Sequence, residues 1–342
     1  MDNYVQYRSN KRFGSLDGLR ALSIIAVIWH HTAPKETAAA LLEAGTHGVS
    51  LFFAISGYLI TTLMLRERDK NGRIDLRAFY MRRSLRIFPL YYATLLIYIL
   101  VVSALERHSA LGQTFFHNLP FFATYTSNIF VPLDGRVIFY FSWSLAAEEQ
   151  FYLLWPLLLV TCKDKAALVL MAVIGLCVLG QLLSSRILYL VPLPILIGAL
   201  LAFGLHRQAT FAWLYRVLGQ VWSIYPILIL LAWSLATRQF PGFVNSFLFV
   251  ALVGCCVIRE DHALSSITQI RAISYIGSIS YGMYLLHMLC KNLVLKGHAF
   301  LHLPTDGLSI FILTVVVTIA VGALSFTYFE SIFMRAKARY AR

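Results

Sequence analysis

Residues 17–34 read DGLRALSIIAVIWHHTAP. A helix crosses a bilayer with about 17–25 mostly apolar residues, and this run has that length. It is interrupted by Asp17, Arg20, His30 and His31. On a helix Arg20 and His31 are close to three turns apart, so they share a face and lie about 16 Å apart along the axis. Asp17 precedes Arg20 by one turn, within pairing range, and His30 is turned about 100° away. Ionisable groups in lipid are costly and mark functional positions by default. Taken singly, Arg20 would serve equally as an interfacial anchor paired with Asp17, and His31 as an interfacial histidine. Their common face favours a polar stripe through the membrane, with a cation at one end and a titratable base at the other.

The rest of the chain also treats lipid as its solvent. Of its 342 residues 59% are apolar and 13% charged, and mean hydropathy is +0.71. Soluble domains average about 45–50% apolar and about 25% charged. The expected fold is an all-α polytopic bundle of about ten transmembrane helices, forming a single domain over 1–342 with no appended soluble domain. Spans are expected near 17–34, 47–65, 87–105, 144–162, 166–183, 187–205, 217–236, 243–258, 274–295 and 308–330. Residues 115–133, broken by Pro120, Asn128 and Pro132, read as a re-entrant or interfacial piece, or as an extra span. With the N-terminus in the cytoplasm, 21 basic residues fall inside and 6 outside, with Arg20 and Lys291 within spans. That asymmetry obeys the positive-inside rule and places both termini in the cytoplasm. It also accounts for the net charge of +13 without nucleic acid, since the basic residues flank apolar runs. The five cysteines lie in or beside apolar runs with no zinc spacing, as small buried hydrophobes. No metal site and no cleaved signal peptide are expected.

Four further stretches concentrate polar groups. Phe141–Tyr152, FSWSLAAEEQFY, opens a span from the outer side with adjacent Glu148 and Glu149. These cannot face the same way on a helix, so one is expected toward a polar interior and the other toward water. An acid-rich helix N-terminus capped by Ser142 or Ser144 is the plainer alternative. His287 lies mid-span one turn after Tyr284, a pattern that is more often structural than catalytic. Gly48–Gly57, GVSLFFAISG, suits close helix packing, with His47 at its outer mouth near His31. The cytoplasmic run Tyr80–Tyr92 carries Arg82, Arg83 and Arg86 on or near one helical side. Such a cluster grips phosphates or serves topology and anionic lipid.

At these residues the sequence resembles the acyltransferase 3 family of membrane O-acyltransferases, which includes O-antigen and exopolysaccharide acetyltransferases. The resemblance rests on LDGLRAL (16–22) followed by His31, and on FFxxSGYL (52–59). It continues through RRxxRIxPxY (82–91), WSLxxEEQFY (143–152), Ile279-Ser280-Tyr281 with His287, and Phe329-Glu330. Ser50 replaces an aspartate common at that position. The resemblance implies a multi-pass protein of the bacterial plasma (inner) membrane. It implies transfer of an acyl group, often acetyl, from cytoplasmic acyl-coenzyme A to a hydroxyl of a glycan or similar acceptor, usually outside. Bilayer and acceptor are then the partners, and no metal is needed. A sugar hydroxyl needs a base near its proton, and the developing oxyanion needs a donor or cation. His31 is thus expected as general base or transient acyl carrier, Glu148 as orienting His31 or activating the acceptor, and Arg20 as holding the donor arm or stabilising charge. Arg82, Arg83 and Arg86 are expected to hold coenzyme A phosphates. Asp17, Ser56, Trp143, Ser144, Glu149, Tyr152, Tyr284 and His287 are further candidates. A transporter or flippase of a polar or lipid-linked substrate is the rival reading, since it too needs intramembrane charge; no inverted repeat is evident.

Overall fold

The computed structural model describes residues 3–10, 12–33, 45, 47–131, 137–183, 190–303 and 306–340, and these contain helices and no strand. After α1 (Asn3–Ser9), α2 (Gly14–Thr32) carries the polar stripe; it ends where Ala33, ahead of Pro34, turns extended. A residue before proline disfavours helical geometry. Then come α3 (His47–Asn71) and α4 (Leu76–Leu105), the latter capped by Asp75 accepting from the Ala78 amide. The 115–133 stretch forms α5 (Ala110–Ala123), a reversal, and the one-turn α6 (Ser127–Phe130), with 132–133 outside the described residues. At about 1.5 Å per residue, α5 is shorter than a bilayer core. It is held to α4 where the Tyr91 and Tyr92 hydroxyls donate to the Phe122 and Ala123 carbonyls.

Next are α7 (Ser142–Cys162) and α8 (Ala166–Leu182). They are joined by a short 3-10 turn starting at Lys163, whose φ is +46°. Leu154 and Leu158 of α7 line one apolar recess with Leu170 and Val173 of α8. α9 (Leu193–His206) and the amphipathic α10 (Gln208–Leu218) meet at a 112° bend. Then follow α11 (Ile224–Thr237), α12 (Gly242–Ile258), the short α13 (Ser265–Thr268) and α14 (Arg271–Phe300). α15 (Gly307–Leu324) passes through a π-helical turn at Ser325–Glu330 into α16 (Ser331–Ala338).

Among the described residues, four stretches are long and apolar enough to cross a membrane: His47–Asn71, Leu76–Leu105, Ser142–Leu182 and Gly307–Lys337. Counting α9 and α10 as one bent span gives a fifth. α3 is central, packed against α9 on one side and α2 on the other, while α2 in turn lies against α14 and α15. Glycines set the closest approaches. A Cβ at Gly57 would collide with the Ile195 carbonyl, and one at Gly277 with the Asp17 carbonyl. Small residues that let backbones meet are the usual device of membrane helix packing.

Candidate active site

Five helices converge on an internal cavity of about 100 Å³. α2 supplies Arg20, α3 supplies Phe52 and Ser56, and α4 supplies Arg83 and Arg86. α7 supplies Ser144, Glu148, Glu149 and Tyr152, and α14 supplies Tyr281 and Tyr284. The two glutamates therefore do not divide between interior and water, as their adjacency suggests; both line this space. The reason lies just upstream. α7 does not start at the surface but from a turn in which Phe139 (φ +66°) and Phe141 are buried. The first turns of the helix thus begin at depth.

Charge is concentrated here. Glu148 accepts hydrogen bonds from the Ser56 hydroxyl (2.5 Å) and from the Tyr152 hydroxyl. The Arg83 guanidinium lies over the Tyr152 ring, 5.4 Å from its centroid. Arg20 pairs with Asp17 at 3.1 Å, and Asp17 also takes Arg12 at 3.1 Å. Arg82 separates from its neighbours: it donates to Glu67 (3.3 Å) and to the Tyr340 carbonyl (2.9 Å) and does not line the cavity. Residues one apart on a helix diverge by about 100°, whereas Arg83 and Arg86, three apart, stay together. Trp143 packs edge-on against Phe53, outside the lining. Glu330, buried in the π-helical turn, approaches the same region beside Gly282.

His31 lies beyond this cavity. Its ring stacks on that of His287 (centroids 5.1 Å apart, planes at 24°), and the Tyr140 hydroxyl is 3.0 Å from its Nδ1. Lys291, one turn after His287, donates to the His31 backbone carbonyl near the end of α2. Tyr284 links the two places. Its ring lines the cavity, its hydroxyl is 2.6 Å from Ser144 Oγ and donates to the Phe141 carbonyl (3.0 Å), and its own carbonyl accepts from His287 Nδ1 (2.5 Å). The structure does not pair Glu148 with His31; each has the other partners just given. His47 stacks on Phe249 of α12. Tyr140 escapes sequence reading because it sits in a turn far from His31 along the chain. Lys291 carried a signal, as an intramembrane lysine one turn from His287. Among the described residues no three His, Cys, Asp or Glu side chains are grouped to hold a metal.

Comparison with known proteins shows the family to which the chain belongs. The family profile described as an acyltransferase domain matches residues 13–327, which covers every side chain of the cavity and of the histidine pair. The chain belongs to the acyltransferase 3 family. It is 30% identical to the peptidoglycan O-acetyltransferase OatA of Listeria monocytogenes, over 94% of this chain and 56% of that protein. It is 28% identical to a Bacillus subtilis protein named "Putative peptidoglycan O-acetyltransferase YrhL", over 83% of this chain and 49% of that one. The chain thus spans about half the length of these curated relatives. No solved structure matches it.

Proposed function

We propose that this chain is a membrane O-acyltransferase. It takes an acyl group, acetyl in the simplest case, from acyl-coenzyme A at the cytoplasmic face. It delivers that group to a hydroxyl of a cell-surface glycan on the other side of a bacterial plasma (inner) membrane, crossing the bilayer about ten times with both termini in the cytoplasm. The observation that carries the reading is the sharing of one internal cavity by Arg20, Arg83 and Arg86 with Glu148 and Glu149, with His31 further along the helix that bears Arg20. The acetyl donor and the carbohydrate acceptor are supported by the relatives' names as peptidoglycan O-acetyltransferases.

Coenzyme A is a polyanion ending in a long, flexible thioester arm. Guanidinium pairs bind phosphates bidentately, so Arg83 and Arg86 hold phosphate while Arg20 meets the arm or the charge that develops on the carbonyl oxygen. Glu148 acts on this donor side, fixing Ser56 and Tyr152 and balancing Arg83. The arm runs past Tyr284 toward His31, which serves as general base or transient acyl carrier for the attack of the acceptor hydroxyl. Purified protein reconstituted in vesicles and given acetyl-coenzyme A with a glycan hydroxyl acceptor should release free coenzyme A thiol and esterify the acceptor. A protein that moves a solute across the vesicle yet never releases thiol would be a transporter, and the reading would fall.

A further inference from the structure

We propose that His287 is the proton acceptor of the transfer, an inference that rests on the acyltransferase reading above and deepens it. A carbonyl oxygen only accepts hydrogen bonds, so the 2.5 Å contact between His287 Nδ1 and the Tyr284 carbonyl requires the proton of the neutral ring to be on Nδ1. The lone pair is then on Nε2. That atom is buried, on a side chain 1% exposed, and has no hydrogen-bond partner among the described residues. Buried polar atoms in folded proteins are nearly always paired. Of the buried side-chain atoms that lack a hydrogen-bond partner among the described residues, several of them Thr and Tyr hydroxyls, His287 Nε2 is the one imidazole nitrogen. Another buried histidine of this chain shows the ordinary arrangement. His262 uses both nitrogens, Nε2 lying 2.7 Å from the Ser15 hydroxyl and Nδ1 4.0 Å from Cys256 Sγ.

The surroundings say which partner His287 Nε2 awaits. The ring stacks on His31, whose other neighbour is Tyr140, and Tyr284, one turn earlier on α14, opens on the arginine cavity. The imidazole that bears this lone pair therefore lies between Tyr284, which opens on the arginine cavity, and the stacked ring of His31. In the transfer the acceptor oxygen attacks the acyl carbonyl and a C–O bond forms. The bond from that carbonyl to its leaving group breaks, the leaving group being the coenzyme A thiolate or, for a carried acyl group, a His31 nitrogen. The hydroxyl proton passes to His287 Nε2, and the leaving group then collects it, returning His287 to its neutral form. His31 is left to hold the acyl group or to orient the acceptor.

The test uses the full chain in vesicles with acetyl-coenzyme A and two nucleophiles, a soluble N-acetylglucosamine oligosaccharide and hydroxylamine. The oligosaccharide hydroxyl needs a base; hydroxylamine attacks without one. His287→Asn keeps an amide N–H in place for the Tyr284 carbonyl and removes the lone pair. Its kcat toward the oligosaccharide should fall by about 10²–10⁴, while KM for acetyl-coenzyme A and the acetohydroxamate formed in excess of protein-free vesicles, where hydroxylamine attacks the thioester unaided, stay near wild type. Equal loss with both nucleophiles would make His287 a structural residue and overturn the proposal, as would full activity with both. Failure of the wild type to acetylate either nucleophile would instead overturn the acyltransferase reading itself, and this inference with it.

Discussion

His31→Ala leaves the stacked His287 ring and Tyr140 without the imidazole between them, and acyl transfer should be lost while membrane insertion is kept. His30, whose ring meets His31 edge-on but which lies off the Arg20 face, should tolerate alanine with most activity retained. Thiol-release rates on matched amounts of inserted protein separate the two, and an active His31→Ala variant would move the transporter reading to first place. Glu148→Gln should cost more than Glu149→Gln, because Glu148 is the acceptor for Ser56 and Tyr152. A hydrogen bond to a charged group contributes about 1.5–3 kcal/mol; glutamine keeps one accepting oxygen, so the loss of about one such bond, roughly ten- to a hundredfold in rate, is expected. Within one helix the sequence was a good guide: helical periodicity alone put Arg20 and His31 on one face and Asp17 beside Arg20. Between helices it was not. Of the two roles open to Glu148, orienting His31 or activating the acceptor, the structure shows no contact with His31, since Glu148 is engaged by Ser56 and Tyr152, and nothing local to Glu148 encodes the depth at which α7 starts.

The arginine run of α4 illustrates the same limit for a whole element. Three arginines in five residues announce an anion site or a topological anchor, but only the packing of α4 against α7, α14 and α16 decides which of them face inward. Arg83→Glu with Arg86→Glu should raise the KM for acyl-coenzyme A, whereas Arg82→Ala, which releases only Glu67 and the Tyr340 carbonyl, should move it much less. If donor affinity is unchanged in an inserted double variant, these arginines face lipid headgroups or record topology only. The glycines of α3 were more legible, since a small residue in an apolar helix implies a close neighbour. Gly57→Ala pushes a methyl group into the backbone of α9 at Ile195. Overpacking of this kind costs about 1–3 kcal/mol, visible as a lower unfolding temperature in detergent. A variant as stable as wild type would mean that α3 and α9 separate freely.

For the molecule as a whole, the basic-residue asymmetry and the packing can be joined in one experiment. Arg82 of α4 pairs with Glu67 near the end of α3, so Asn71, the last residue of α3, lies at the same end of the bundle as the arginine cavity. The histidine pair lies toward the opposite end, where α2 finishes and the chain runs on through position 35. Orientation in the membrane therefore fixes the direction of transfer. The five native cysteines must first be replaced, because Cys162 is partly exposed while Cys177, Cys255, Cys256 and Cys290 are buried. In that background a cysteine at position 35 should react with an impermeant reagent added outside intact cells, and one at the exposed position 71 only after permeabilisation. That result would put the arginines on the side of the proposed coenzyme A donor and His31 toward the proposed glycan acceptor, as expected from the 21-to-6 distribution of basic residues under the positive-inside rule. Labelling of 71 from outside with 35 protected would turn the arginine cavity away from any cytoplasmic donor, and the proposed direction of transfer would have to be abandoned even if His31→Ala were inactive.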